Sequence, residues 1–272
     1  MKIVVAGGAG FIGTAVVHDL VAAGHNVDVL TRSSLPEVSG VRALTWGPGG
    51  AGSWRAVLAG ADAVVNLSGD SIARRWTDDA KRRIVSSRVG ATLAILEALG
   101  EDRRRPAVLV NASAVGYYGP GTQPVAEDAA PGSDFLAGVC RSWEDEAVKA
   151  EALGLRVVRL RLGIVLGRKG GALKQMLPPF RLGLGGRLGS GEQWMSWIHL
   201  ADVLGLLRHA IEKPGLSGAV NAVAPGAVTN REFTSVLGRA LHRPALIPVP
   251  GFVLRLLLGE MADVLLTGQR VL

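Results

Sequence analysis

Short apolar segments alternate with longer amphipathic segments through the first two thirds of the chain. The apolar segments are nearly unbroken, which is typical of parallel strands that helices cover on both faces. We predict strands at Lys2–Ala6, Val27–Thr31, Val41–Trp46, Ala61–Leu67, Ala107–Asn111 and Leu155–Leu162. Apolar residues at helical spacing predict helices at Phe11–Ala23, Thr77–Leu99 and Phe135–Leu153. The alternation indicates right-handed βαβ units and an α/β fold with a doubly wound parallel sheet.

The pattern changes after Gly163. Residues Gly167–Gly191 are rich in Gly and Leu and have poor periodicity, whereas Val220–Val223 resembles one more strand. The rest of the tail has a helical pattern that prolines interrupt. We therefore predict a nucleotide-binding core and a smaller, mostly helical C-terminal lobe. The core comprises residues 1–162 together with 194–225, and the lobe comprises residues 163–193 and 226–272.

The composition is that of a soluble globular protein. Of the 272 residues, 48% are hydrophobic and 19% are charged, which excludes the disordered and fibrous classes. No apolar segment approaches the roughly 20 residues of a membrane-spanning helix, and the first residues form a strand rather than a signal peptide. The single Cys excludes a disulfide framework. We therefore expect a cytoplasmic protein without a membrane partner.

The net charge of +7 does not by itself indicate a nucleic-acid partner. The basic clusters at 81–83 and 103–105 lack the interleaved aromatic residues of single-strand binders, so we interpret them as solvated helix faces and turns. No spacing of His, Cys and Asp indicates a metal site. We expect neither nucleic acid nor metal, and the sequence leaves monomer and dimer open.

Three glycines follow the first predicted strand and lead into the first predicted helix. Gly7 is expected to turn the chain, Gly10 to let the backbone approach a pyrophosphate, and Gly13 to let the helix pack closely. The helix then presents the free amides of its first residues, Phe11 and Ile12 among them, to that pyrophosphate. A tight turn that binds nothing is the alternative. This context predicts a Rossmann dinucleotide-binding core.

The end of the second predicted strand indicates which dinucleotide binds. A carboxylate there would hydrogen-bond a ribose 2′-OH and repel a 2′-phosphate. The strand instead ends in Thr31, Arg32 and Ser33, and Asp28 comes too early, so we interpret it as a surface or edge residue. This end predicts NADP(H), with Arg32 as a solvated loop residue in the alternative interpretation.

The glycine spacing and the turn Asn66-Leu67-Ser68-Gly69 resemble those of the extended short-chain dehydrogenase/reductases, which include nucleotide-sugar epimerases. Further segments are similar to the atypical branch called epimerase family 39U. These segments are Arg75-Trp76-Thr77, Ser87-Arg88, Gly116-Tyr117-Tyr118-Gly119, Trp143-Glu144, Arg161–Gly167, Pro179–Gly186 and Trp197–Asp202. The resemblance implies an NADP(H) site to which Leu67, Ser68, Gly69 and Ile164 contribute. It also implies that family members continue past Thr267–Leu272, so we expect the C-terminal end to be cut or left out.

Active members of the parent family carry a Tyr-x-x-x-Lys pair on the helix after the fifth strand. Here that helix reads Phe135–Glu146, contains no Tyr, and reaches its first Lys only at Lys149. The candidate replacements are Ser113 and Tyr117, with Tyr118 as the neighbouring phenol, beside the expected nicotinamide position. Packing of the loop wall is the alternative role for both tyrosines. Cys140, on the same helix, is interpreted as a buried apolar residue.

Arg88 shares a 4-3-4 spacing with Ile84, Ala91 and Ile95, which places a guanidinium on an apolar helix stripe. A buried guanidinium needs an anion, and either the cofactor or an internal carboxylate supplies it. We include Arg88 among the cofactor residues. His199 and Asp202 are expected to anchor the lobe to the core.

The sequence as a whole favours an NADP(H)-binding oxidoreductase- or epimerase-like protein of unknown substrate. Arg181 and Arg187 are candidates to clamp an anionic small molecule, such as a sugar nucleotide, between core and lobe. A non-catalytic NADP sensor or scaffold is the alternative, because the Tyr-x-x-x-Lys pair is missing.

Overall fold

The computed structural model describes residues 1–32, 38–47, 52–101 and 104–272. The strands are β1 (Lys2–Ala6), β2 (Asn26–Thr31), β3 (Val41–Thr45), β4 (Ala63–Asn66), β5 (Val108–Ala114), β6 (Pro124–Val125), β7 (Arg156–Leu162), β8 (Ile164–Gly167), β9 (Trp194–Met195), β10 (Trp197–His199), β11 (Gly218–Ala222), β12 (Val228–Thr229) and β13 (Arg270–Val271). The helices are α1 (Phe11–Ala22), α2 (Trp54–Leu58), α3 (Asp78–Val85), α4 (Ala91–Gly100), α5 (Phe135–Val148), α6 (Gly171–Arg181), α7 (Leu200–Glu212), α8 (Asn230–Ala240), α9 (Gly251–Leu258) and α10 (Ala262–Leu266).

Seven strands form one parallel sheet in the order β11-β7-β5-β4-β1-β2-β3. The predicted α/β fold with a parallel Rossmann sheet is confirmed. From β1 the chain proceeds outward to β2 and β3 on one side, and it then returns to β4 on the other. The connections that leave the carboxyl ends of the adjacent strands β1 and β4 therefore run to opposite sides of the sheet, and open sheets of this kind bind ligands at such a point.

Helices cover both faces of the sheet because side chains alternate along each strand. Val4 faces a core that contains Trp54 and Ile95. Ile3, its neighbour in β1, faces a second core that contains Leu20 of α1 and Leu207 of α7. The apolar strand segments are therefore buried on both sides, as the sequence predicts.

The predicted helix Thr77–Leu99 is two helices joined by a π-helical turn. That turn spans Ser86–Gly90 and lies between α3 and α4. A π turn places an extra residue in the helix and shifts the phase of every side chain after it. The predicted apolar stripe is nevertheless buried at Ile84, Ala91 and Ile95, and Arg88 lies within the π turn itself.

The segment 163–193 contains one helix that the sequence pattern did not predict. Helix α6 runs through Pro178 and Pro179, which remove two amide donors from its last turns. Those prolines and the surrounding glycines obscure the helical pattern. Two short sheets, β8 with β10 and β9 with β12, connect this region.

Side chains of the core contact the lobe directly. The Lys81 ammonium lies 2.6 Å from a carboxylate oxygen of Glu260 and above the Phe135 ring. Arg75 donates a hydrogen bond to the carbonyl of Leu256, at the end of α9. The interpretation of Lys81 as a solvated helix residue is wrong, because its charge pairs with the lobe.

Within the described residues, no helix is both long and apolar enough to cross a membrane.

Candidate nucleotide-binding site

The turn between β1 and α1 is so tight that side chains do not fit at two of its positions. Gly7 has a φ of +80°, and a Cβ atom there would lie 2.7 Å from the carbonyl oxygen of Leu67. A Cβ atom at Gly13 would lie 2.2 Å from the carbonyl oxygen of Gly7. Gly10 is the N-cap of α1 and supplies no side-chain cap. The first amides of α1 have no acceptor inside the helix, so this end can receive an anion.

A cleft of about 510 Å³ opens beside this turn, at the carboxyl ends of β1, β2 and β4. Seven of the twelve predicted cofactor residues line it, namely Gly7, Gly10, Thr31, Arg32, Leu67, Ser68 and Gly69. The remaining lining residues are Ala9, Trp46, Gly47, Asp70, Arg83, Ser86, Ser87, Gly90 and Ala91. The structure therefore brings the glycine turn, the end of β2 and the turn after β4 to one cavity.

A buried polar network fixes the turn after β4. The Asn66 amide donates hydrogen bonds to Thr92 Oγ1 at 2.9 Å and to Asn111 Oδ1 at 2.7 Å. The Asn66 amide oxygen accepts the backbone N–H of Ser68 at 3.1 Å. Trp143 Nε1 donates to the same Thr92 hydroxyl. Because buried polar groups are costly to move once paired, this network holds the turn rigid.

The Ser68 hydroxyl oxygen is buried and has no hydrogen-bond partner among the described residues. Buried hydroxyls are almost always paired, so an unpaired one in a cavity wall favours a ligand as its partner. Ser68 belongs to the turn predicted to contact the cofactor. The unpaired Ser68 hydroxyl oxygen therefore favours a polar ligand in the cleft.

The end of β2 carries the side chains that bear on cofactor choice. Thr31 is buried and Arg32 is exposed, and both line the cleft. Ser33 lies outside the described residues. Asp28 is only 7% exposed, and both of its carboxylate oxygens accept hydrogen bonds from Arg42 of β3, at 2.8 and 2.9 Å. The interpretation of Asp28 as a surface or edge residue is wrong, since β2 lies between β1 and β3.

Of the nine lining residues outside the predicted set, Trp46 and Arg83 carry the largest side chains. Trp46 follows the last residue of β3 and packs edge-on against Trp54, with the ring centroids 5.3 Å apart. Its place after a strand end is the signal that could have identified it, because strand ends line the crevice. Arg83 lies on the opposite wall, half exposed and paired with Asp79. Its interpretation as a solvated helix residue overlooked the cavity that α3 borders.

Arg88 lies in the π turn behind the cleft wall. Its guanidinium donates hydrogen bonds to the carbonyls of Ile84 and Asp70, each at 3.1 Å, and stacks over Trp143. A Cβ atom at Gly69 would lie 3.1 Å from the guanidinium carbon. Burial lowers the pKa of Arg88. Within the described residues its hydrogen bonds go to carbonyls, so the internal-carboxylate alternative is not observed.

Ser113 does not face the cleft. It is 2% exposed, and its hydroxyl donates a 2.7 Å hydrogen bond to Glu144 of α5. Both oxygens of Glu144 also accept hydrogen bonds from Arg161 of β7, at 2.8 and 2.9 Å. The β5–β7 register pairs Ser113 directly with Arg161. Ser113 is therefore part of a buried ion-pair cluster.

The two tyrosines pack around the same arginine. The Arg161 guanidinium lies 3.6 Å from the centre of the Tyr117 ring and donates to the Tyr118 hydroxyl at 2.8 Å. Tyr118 in turn donates to the amide oxygen of Asn221 at 2.6 Å. Burial raises the pKa of Tyr118, so its phenol stays protonated at neutral pH. Neither ring lines the 510 Å³ cleft.

Helix α5 carries no amine beside these phenols. Lys149 follows its last residue and pairs with Glu146 at 2.7 Å. Cys140 is buried, as predicted, and burial raises its pKa to about 12. The thiol is therefore inert as a nucleophile at neutral pH.

Three predicted cofactor residues, Phe11, Ile12 and Ile164, do not line the cleft. The Phe11 ring fills space that side chains at Gly167, Gly170 and Gly171 would occupy, since Cβ atoms there would lie 2.5–2.8 Å from it. Ile12 packs on the core beneath the sheet. The Ile164 amide donates to the carbonyl of Ser196 at 2.8 Å, where β8 begins.

The backbone of His199 pairs with Leu166 of β8, but the side chains of His199 and Asp202 are exposed at the start of α7. His199 is exposed and its Nδ1 accepts the backbone N–H of Ala201, so it caps α7. Asp202 is exposed in the first turn of the same helix. Three strand pairs, β8–β10, β9–β12 and β6–β13, join residues 1–162 and 194–225 to residues 163–193 and 226–272, and the side chains of Lys81 and Arg75 add further contacts.

Comparison with known proteins shows the family to which the chain belongs. The family model described as NAD dependent epimerase/dehydratase family matches residues 3–223, and a domain of unknown function, DUF1731, matches residues 249–272. The chain is 42% identical to "Epimerase family protein SDR39U1 homolog, chloroplastic" of Arabidopsis thaliana, covering 100% of this chain and 80% of that protein. It is 39% identical to human SDR39U1, covering 100% of this chain and 92% of that protein.

Two crystal structures extend the comparison. Human SDR39U1 (isoform 2), crystallised with NADPH, is 37% identical with a TM-score of 0.87, covering 100% of this chain and 91% of that chain. A nucleoside-diphosphate sugar epimerase from Corynebacterium glutamicum is 33% identical with a TM-score of 0.74, covering 94% of this chain and 54% of that chain. The resemblance to epimerase family 39U is thus confirmed along the whole chain. Its glycine turn, its parallel sheet and these relatives together make this chain a member of the NAD dependent epimerase/dehydratase family.

Proposed function

We propose that this protein binds NADP(H) in the 510 Å³ cleft and acts as an oxidoreductase- or epimerase-like protein. The observation that carries the proposal is the end of β2, where Arg32 and Thr31 line the cleft. The acid of that strand, Asp28, is bound to Arg42 and does not reach the cleft. A guanidinium in this place attracts a 2′-phosphate, whereas a carboxylate would repel it.

The chain's own residues would hold the cofactor from three sides. The first amides of α1 would receive the pyrophosphate, and the Ser68 hydroxyl would gain the partner it lacks within the protein. Arg88 supports the turn from behind, since its guanidinium packs against Gly69. When bound, NADP(H) would supply or accept a hydride. The human relative crystallised with NADPH supports this cofactor.

Proton transfer is the part of the chemistry for which the chain lacks the usual equipment. Ser113 and Tyr117 remain the proposed catalytic residues, but Ser113 already donates to Glu144 and Tyr117 stacks on Arg161. These contacts favour the second candidate function, a non-catalytic NADP sensor or scaffold.

The proposed substrate is a small anionic molecule, such as a sugar nucleotide. The C. glutamicum neighbour named as a nucleoside-diphosphate sugar epimerase supports this class. We further propose that the protein works in the cytoplasm. The division into a core of 1–162 with 194–225 and a lobe of 163–193 with 226–272 also remains a proposal.

Titration with NADP⁺ and NAD⁺ tests the cofactor proposal. The wild type is expected to prefer NADP⁺, and Arg32→Ala should weaken NADP⁺ by about 10- to 100-fold with NAD⁺ nearly unchanged, since a charge-assisted contact contributes roughly 1.5–3 kcal/mol. Thr31→Asp should invert the preference, because it places a carboxylate where the 2′-phosphate would lie. A wild type that prefers NAD⁺, or equal loss of both dinucleotides in Arg32→Ala, would contradict the proposal.

A further inference from the structure

A second cavity lies wholly within the C-terminal lobe. We call it the lobe groove; its volume is about 920 Å³. Its walls are one face of α8, the segment 242–246 and Arg187. The lining residues are Arg187, Arg231, Thr234, Ser235, Gly238, Arg239, His242, Arg243, Pro244, Ala245 and Leu246. None of them belongs to the cofactor cleft.

The walls of the lobe groove concentrate positive charge. Four arginines and one histidine line it, and no Asp or Glu does. Arg231, Ser235 and Arg239 lie at i, i+4 and i+8 of α8, so they form one stripe that spans roughly 12 Å at 1.5 Å per residue. The stripe faces the groove along its length.

Most of this charge has no carboxylate partner. Arg231 pairs with Glu192, but Arg187, Arg239 and Arg243 form no ion pair with any described residue. Arg187 and Arg243 donate only to backbone carbonyls, of Gly189 and Ser190 and of Arg181 and His242. Like charges held together in a concave surface raise the local potential, and a bound anion relieves it.

Two glycines let the backbone bring these arginines together. Gly191 has a φ of +78°, and a Cβ atom there would lie 3.2 Å from the Cβ atoms of both Arg187 and Arg231. A Cβ atom at Gly238 would lie 3.0 Å from the carbonyl oxygen of Arg243, so the 243–246 segment crosses α8 at that point. The backbone of Arg243 is thereby held against α8. The backbone at Gly191 and Gly238 therefore brings the arginines to one groove.

From this convergence we propose that the lobe groove binds a small phosphate-bearing anion with at least two phosphate groups, independently of the cofactor cleft. Arginine forks match phosphate oxygens in pairs, and the Ser235 and Thr234 hydroxyls add neutral donors. The volume lies in the range of small-molecule sites. No Trp, Tyr or Phe is among the lining residues, which disfavours single-stranded nucleic acid, whose binders stack bases on aromatic rings.

Calorimetric titration of the full chain with inorganic pyrophosphate tests this proposal. The double variant Arg239→Gln/Arg243→Gln should weaken pyrophosphate binding by about tenfold or more, because each lost guanidinium removes a charge-assisted contact. The control Arg82→Gln/Arg208→Gln removes the same net charge at sites outside the groove, and it should bind within about twofold of wild type. The single variant Arg239→Gln guards against a folding defect, because Arg239 forms no ion pair with any described residue and its replacement removes none.

Three results would overturn the proposal. Equal weakening in the groove and control variants would show a diffuse charge effect. Pyrophosphate binding that saturating NADP⁺ abolishes, and that the groove variant leaves unchanged, would place the anion in the cofactor cleft. Much tighter binding of an oligothymidine than of pyrophosphate, lost in the groove variant, would make nucleic acid the ligand. NADP⁺ affinity should be unchanged in the groove variant, so failure here is separable from failure of the proposed cofactor site.

Discussion

At the scale of single residues, the buried pair of Glu144 and Arg161 is the strongest electrostatic feature of the core. Both side chains are nearly inaccessible, at 2% and 3% exposure. Burial opposes the charge of Arg161, but the hydrogen bonds to Glu144 and Tyr118 outweigh it and raise its pKa. Ser113 donates a hydrogen bond to Glu144, and both tyrosines contact Arg161. The region that contains the proposed catalytic residues Ser113 and Tyr117 therefore also contains a buried ion pair.

Glu144→Gln should therefore destabilise the protein by about 3–5 kcal/mol, because it leaves the Arg161 guanidinium buried without its counter-charge. Urea unfolding followed by circular dichroism measures the change. Glu192→Gln is the matched control, since its partner Arg231 is exposed and such pairs contribute roughly 0–1 kcal/mol. Equal effects in the two variants would mean that the Glu144 pair is not electrostatically important.

At the scale of elements, the position of α1 depends on the absence of a side chain at one residue. Gly13 lies in the first turn of α1, against the backbone of Gly7 and Gly8. The Gly7 carbonyl is also the acceptor for the Gly10 amide. Displacing the helix would thus deform the turn that the cofactor proposal depends on.

Gly13→Ala is expected to cost stability by about 1–3 kcal/mol, as overpacked sites do, and to weaken NADP⁺ binding. Gly205→Ala is the control: it lies inside α7 with open space at its Cβ position, and it should stabilise the protein by roughly 0.5–1 kcal/mol. Thermal unfolding and NADP⁺ titration of both variants test the pair. Normal cofactor affinity in a folded Gly13→Ala variant would contradict the role given to the turn.

At the scale of the whole molecule, what could be predicted from sequence was what local chemistry encodes. The glycine turn and the end of β2 are contiguous stretches, so Gly7, Gly10 and Arg32 could be assigned to one cavity. Trp46 and Arg83 reach that cavity through tertiary packing, which no short motif records. The engagement of Ser113 follows from the β5–β7 register, and α6 was hidden by its prolines. The residues that could be predicted lie in short contiguous motifs. The residues that could not be predicted are brought to the site by contacts between distant parts of the chain.

The assembled molecule is expected to interconvert UDP-glucose and UDP-galactose at a negligible rate. General acid–base catalysis typically accelerates a reaction by roughly 10²- to 10⁴-fold. Helix α5 carries no Tyr-x-x-x-Lys pair to supply it. Coupled assay of the purified protein with added NAD⁺ and NADP⁺ checks this. Robust turnover would refute it, and Tyr117→Phe and Tyr118→Phe would then identify the proton donor.

The packing of the Phe11 ring against the glycines of the β8–α6 turn couples the positions of α1 and this turn. Phe11 is the first residue of α1, so one ring belongs at once to the proposed phosphate turn and to the lobe's contact with the core. Restraining the turn restrains the ring, and the ring restrains Gly167, Gly170 and Gly171. A dinucleotide in the cleft should accordingly slow amide hydrogen exchange at residues 167–171, although none of them lines the cleft. Cofactor binding would then change the dynamics of the lobe through its contact with the Phe11 side chain.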